Sequence, residues 1–130
     1  MELIKYIGLP YKIGETDCWA LVKLFAKQEL NKELPEYMYS FDETCYDVIA
    51  DKTNKLADGF MPGWTKQALS NIEIGDLLTF RVYGRETHCG VYVGDGDFLH
   101  TMQGRNSCLE KINNMSWKHR LTGVYRYGET

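Results

Sequence analysis

The stretch Gly8-Leu9-Pro10-Tyr11-Lys12-Ile13-Gly14-Glu15-Thr16-Asp17-Cys18-Trp19-Ala20-Leu21-Val22 sets the terms for the rest of the chain. Gly8, Pro10 and Gly14 punctuate a loop, because glycine tolerates turn conformations and proline fixes φ. Asp17 is a residue type that caps a helix by accepting backbone N–H bonds. Trp19, Val22, Phe25, Ala26 and Leu30 then recur at helical spacing, which predicts a helix from about 17 to 31 with one apolar face. Cys18 therefore falls in the first helical turn. Unpaired N–H groups and the positive end of the helix dipole stabilise a thiolate there. A nucleophile gains from that setting; a structural cysteine does not.

Outward from this stretch the elements sort into two regimes. Leu3, Ile4 and Ile7 predict a short helical lead ahead of the loop. Pro35 ends the long helix, since proline cannot continue a helix interior. Residues 36–42 read as irregular, 43–57 as a second helix marked by Val48, Ile49, Lys52 and Leu56, and 58–64 as a loop dense in Gly and Pro. A short helix is expected around 66–69. From residue 72 the period becomes alternating, with strands over 77–83, 88–93, 98–102, 107–112 and 123–127. Gly94-Asp95-Gly96-Asp97 is a hairpin signal between the second and third strands, and Trp117 begins a linker. Helices first and an antiparallel meander second give the class α+β.

The chain has 130 residues, 44% hydrophobic and 25% charged, which suits a single domain over 1–130 with a real core. A formal charge of -3 makes no electrostatic case for nucleic acid as a partner. No run approaches the length of a membrane span, and the opening residues lack the pattern of a secretory signal. The expectation is a protein made in a host cytoplasm. Three Trp, nine Tyr and five Phe would serve a compact core and a groove that grips a polymer. The cysteines are Cys18, Cys45, Cys89 and Cys108, with no CxxC pair, so neither a zinc knuckle nor a redox motif is expected. Free thiols are the default, with a Cys89–Cys108 bridge between neighbouring strands left open.

A thiol nucleophile needs a base, and the base needs an orienter. His88 stands at the start of a strand, and His100 follows across the hairpin. A tight turn near their midpoint is expected to bring them opposite each other on one face. If the helix carrying Cys18 packs there, Cys18, His88 and His100 converge as nucleophile, base and orienter. A metal hydrolase built on His88, His100 and Cys89 is disfavoured, because adjacent strand residues point to opposite faces. Asp95 and Asp97 are too few ligands for calcium. No cofactor is expected. His119, between Lys118 and Arg120, reads as part of a solvated basic patch.

Gly8-Leu9-Pro10-Tyr11-Lys12-Ile13-Gly14 with Asp17-Cys18, then 73–80, then His88-Cys89-Gly90-Val91-Tyr92-Val93-Gly94-Asp95-Gly96, then Phe98-Leu99-His100, together resemble the blocks of the NlpC/P60 papain-like cysteine peptidases, in family order. The resemblance implies a papain-like fold with N-terminal helices packed on a C-terminal antiparallel sheet. It implies hydrolysis of peptidoglycan stem peptides, at D-glutamyl–diamino acid bonds. Cys18 would be the nucleophile, His88 the base and His100 the polar third member. Tyr11 would give its hydroxyl to the oxyanion hole beside the Cys18 N–H. Cys89 stands where the family has valine, and Asp17-Cys18-Trp19-Ala20 where it often has D-C-S-G. The tryptophan, and 31–37, are similar to the phage tail-assembly branch. That implies a virion tail or tail-assembly intermediate that opens the wall for tail passage, with other tail-tip or baseplate proteins as partners. A structural tail-tip protein with little hydrolytic activity is the alternative, and an acyltransferase or amidase with another substrate a third reading.

Overall fold

The computed structural model describes residues 2–12, 15–35, 63–82 and 85–128. The helix expected over 43–57 lies outside the described residues. The long helix forms as α1, Cys18–Leu30, with the Asp17 carboxylate accepting from the Ala20 N–H at 2.9 Å. Asn31 closes it in the left-handed region at φ 51°, a conformation asparagine tolerates at helix ends. Trp19, Leu21, Val22, Phe25 and Ala26 are buried. Leu30, expected on the same face, sits over Gly75 in the last turn and stays 38% exposed. The N-terminal lead is a single 3-10 turn, Ile4–Tyr6, whose buried residue is Tyr6 while Ile4 is exposed.

Six antiparallel strands form the sheet: β1 Trp64–Gln67, β2 Leu77–Val82, β3 Arg85–Gly94, β4 Asp97–His100, β5 Cys108–Lys111 and β6 Leu121–Tyr127. Their order is β1-β6-β2-β3-β4-β5. The expected meander holds from β2 to β5. The last strand instead crosses back to lie between β1 and β2. β1 takes the first part of the segment where a short helix was expected, and a short 3-10 helix, Leu69–Asn71, follows it. Trp64 pairs with Tyr127 and their rings meet at 5.1 Å, so pairing with β6 overrides local preference.

Side chains alternate across the sheet and sort into two clusters. Leu77, Cys89, Val91, Val93, Leu99 and Tyr125 pack with Tyr6 and α1. Leu78, Phe80, Val82, Phe98 and Val124 pack on the other face with Ile112 and Trp117. Trp117 belongs to a short helix, α2 Met115–Lys118, in the segment read as a linker. Helix α1 packs against β3 and β4 and so brings its first residue to the strands that carry both histidines. Among the described residues, no helix is long and apolar enough to cross a membrane.

The β3–β4 hairpin turns through Asp95 and Gly96 at φ 57° and 79°, the two positive values of a primed turn. The register is Tyr92 to Phe98 and then Gly94 to Asp97, which leaves Val93 as a bulge. Just ahead of β2, Asp76 is buried and takes a two-pronged contact from Arg126, Nε to Oδ1 and Nη2 to Oδ2, both at 2.8 Å.

Candidate active site

Cys18 is the first residue of α1 and is 7% exposed. Its thiol is held well below the ordinary range. The largest cause is a hydrogen bond from the Cys89 thiol; burial opposes it, and a hydrogen bond and charge from His88 add to the lowering. Cys89 moves the other way, raised by the anionic sulfur it serves and by burial. The helix start contributes in the same sense as the donors. Cys18, Cys89 and Cys108 are all free thiols. A Cys89–Cys108 bridge is ruled out by the topology, since β4 lies between their strands and adjacent strands are about 4.8 Å apart.

The histidines meet by a different geometry from the one expected. Continuing the β3–β4 register from Val91 opposite Leu99 sets Gly90, not His88, across from His100. The two histidines are diagonal neighbours, and His88 Nε2 lies 2.8 Å from His100 Nδ1. Gly90 makes this approach feasible. A Cβ there would stand 3.0 Å from the Leu99 carbonyl oxygen and 3.3 Å from the His100 Cβ. Both rings are buried, and Trp117 walls them, edge-on to His100 at 4.7 Å and tilted against His88 at 5.4 Å.

The line continues one residue further than expected. Glu110 Oε2 is 2.5 Å from His100 Nε2. Burial first, then the charges of His88 and Arg105, lower His100 to about 3. His100 therefore carries one ring proton, and its link to Glu110 is a hydrogen bond rather than an ion pair. The carboxylate can only accept, so that proton is on Nε2. His100 Nδ1 then accepts from His88 Nε2–H, which leaves His88 Nδ1 to face Cys18. Glu110 and Trp117 were not singled out from the sequence. The signal for Glu110 is positional: Cys108 pairs with His100, and Glu110 follows two residues on, on the same face of β5.

Tyr11 follows the bridge of Pro10 to Asn106 and is half-buried. The Thr16 hydroxyl donates to the Pro10 carbonyl, and the Glu15 and Thr16 N–H groups donate to the Lys12 carbonyl at 3.1 and 2.9 Å. These bonds tie the segment carrying Tyr11 to the residues just before Cys18. His119 is exposed, as read.

The NlpC/P60 family model matches residues 8–126. The chain belongs to the NlpC/P60 family. This family member is 25% identical over 124 residues to the Escherichia coli K12 protein named murein DD-endopeptidase MepS/murein LD-carboxypeptidase, covering 92% of this chain and 56% of that protein. The chain thus spans little more than half the length of that relative. A solved NlpC/P60 family protein from Bacillus cereus ATCC 10987 matches with TM-score 0.63 at 20% identity, over 95% of this chain and 37% of the other. The NlpC/p60 domain of the peptidoglycan hydrolase SagA matches with TM-score 0.60 at 19% identity, over 95% and 91%. The NlpC/P60 fold of α1 on an antiparallel sheet is the α+β architecture that the sequence resemblance implied.

Proposed function

We propose that the chain is a cysteine peptidase acting on peptidoglycan stem peptides. The observation that carries this reading is the hydrogen-bonded line from His88 through His100 to Glu110, set beside a Cys18 thiol that His88 helps to hold low. In the proposed reaction the Cys18 sulfur attacks the carbonyl carbon of the scissile peptide bond. The Cys18 N–H and the Tyr11 hydroxyl hold the oxygen that becomes anionic. His88 gives its proton to the leaving nitrogen as the C–N bond breaks, which leaves a thioester on Cys18. His88 then takes a proton from water, whose oxygen displaces the sulfur and releases a carboxylate product. His100 and Glu110 hold the His88 ring in the orientation this needs.

The finer assignments rest on the sequence. The D-glutamyl–diamino acid bond follows from the family resemblance, and the tail setting from Trp19 after the nucleophile and from 31–37. Purified host sacculi digested with the protein, with products identified by mass, test the reading. Cys18→Ala abolishes release of fragments while the unfolding transition is unchanged; cleavage retained in that variant would falsify the mechanism. Products cut at another stem-peptide bond would overturn the bond assignment alone. Absence of the chain from both purified virions and tail intermediates would overturn the tail assignment alone.

A further inference from the structure

We infer that His100, Cys108 and Glu110 form a binding site for a thiophilic divalent cation such as zinc, and that occupancy of this site restrains the peptidase. Among the described residues, the three offer one nitrogen, one sulfur and one oxygen donor, all within 4.8 Å of one another. Zinc takes such ligands at about 2.0–2.3 Å, so neighbouring donors in a tetrahedral site stand about 3.3–3.6 Å apart. Cys108 Sγ is 3.7 Å from His100 Nε2, already at that separation. Glu110 Oε2, at 2.5 Å from the same nitrogen, has to swing out by about 1 Å. Its side chain is 25% exposed and free to do so on its outer side. The donors come from β4 and β5, whose pairing sets His100 opposite Cys108, so the site is built on rigid strands.

A cavity of about 290 Å³ gives the ion and its remaining water ligand a way in, since Glu110 lines it. Arg105 and Arg120 line the same cavity and oppose a bare cation. A thiolate and a carboxylate together cancel the charge of one divalent ion, so the site favours a metal that bonds to sulfur. Magnesium, which prefers oxygen ligands and keeps its water, gains nothing here. On binding, the Cys108 thiol proton leaves to solvent. The metal takes the Nε2 lone pair of His100, so the ring proton moves to Nδ1. The His88–His100 hydrogen bond is then kept only in the opposite direction, with His88 Nε2 accepting and the single His88 ring proton on Nδ1, so the doubly protonated His88 ring that would serve the leaving nitrogen is disfavoured.

The site stands on geometry alone; its effect on the rate rests on the peptidase reading. Binding is therefore tested without activity. The full chain carrying Cys18→Ala is titrated with Co²⁺, with Zn²⁺ as competitor. One equivalent is expected, with a thiolate-to-cobalt charge-transfer band that zinc displaces and Mg²⁺ does not. Adding Cys89→Ser leaves the band; adding Cys108→Ser removes it. Loss of even outer-shell partners costs about 10–100-fold in metal affinity, so Cys108→Ser and Glu110→Gln each weaken binding at least about tenfold. Circular dichroism confirms that each variant is folded. A band that survives Cys108→Ser, or the absence of binding to the folded Cys18→Ala protein, overturns the site. For the rate, Zn²⁺ slows the protein with Cys18 intact, and Cys108→Ser requires at least about tenfold more zinc for the same fractional loss against its own metal-free rate. Equal sensitivity of the two proteins overturns the regulatory role while leaving the binding result to stand by itself.

Discussion

Cys18 draws on three sources at once: the start of α1, the Cys89 thiol and the His88 ring. Cys89 faces α1 in the same cluster as Cys18, which makes it more than a filler where the family has valine. Cys89→Val removes the donor with the largest lowering effect. The acidic limb of kcat/KM then moves to higher pH, because a thiolate that has lost a donor forms only at higher pH; an unmoved limb would assign the effect to His88 alone. Tyr11→Phe deletes the proposed oxyanion donor and is expected to lower kcat by about 10²–10³-fold with little change in KM. A KM effect without a kcat effect would make Tyr11 a binding residue. At this scale the place of Cys18 at a capped helix start was legible because Asp17-Cys18 announces itself locally, as a cap followed by a thiol. Glu110 and Trp117 were not, because neither carries a local signal. Glu110 matters through its register against His100, and Trp117 through a contact made by a short helix inside what read as a linker.

The β3–β4 hairpin does the positioning at the scale of elements. The alternating pattern and Gly94-Asp95-Gly96-Asp97 predicted two strands and a tight turn, and both formed. The bulge at Val93 was invisible, since the residue count of a turn does not reveal where a ladder skips. That skip and the missing side chain at Gly90 together let the two imidazoles meet diagonally. Gly90→Val places carbons against the Leu99 carbonyl and the His100 Cβ. Overpacking of this kind costs about 1–3 kcal/mol, read by urea unfolding, and displaces the His100 ring, read as a loss of activity larger than the loss of folded protein. Full activity in Gly90→Val would remove the hairpin from the account. The strand at 64–67 shows the opposite limit. Its residues have mild local preference, and the aromatic contact of Trp64 with Tyr127 decides the outcome from the far end of the chain.

Two electrostatic features, each with a buried member, act at the scale of the whole molecule. Arg126, on β6, reaches Asp76 just ahead of β2 and so fixes the strand that crosses back into the sheet. Asp76→Ala leaves a partly buried guanidinium with only Glu73 and the Asn71 carbonyl and is expected to cost about 1–3 kcal/mol, measured as a fall in unfolding free energy. A cost near zero would mean that Glu73, 3.0 Å from the same guanidinium, suffices. His100 couples stability to pH. Its ordinary value is 6.5, and burial with neighbouring charge brings it to about 3 in the fold. As pH falls through 6.5 the unfolded chain takes up a proton that the folded chain refuses until about 3. Stability is therefore full above 6.5 and declines between those two values, and His100→Gln flattens that decline. Urea midpoints at a series of pH values give the comparison, and an identical slope in His100→Gln would assign the decline to other groups. The sequence conveyed the class and the order of most elements through periodicity. It could not convey the return of β6, which depends on pairing between residues far apart in the chain.

The account turns on a Cys18 sulfur made anionic by its neighbours, with His88 as the working partner. The pH dependence of iodoacetamide alkylation at Cys18, followed by peptide mass in the parent and in His88→Ala, measures this directly. The account predicts rapid alkylation well below the ordinary thiol range in the parent, and a shift to higher pH when His88 is removed. Alkylation that begins only in the ordinary thiol range, with no change in His88→Ala, would contradict it.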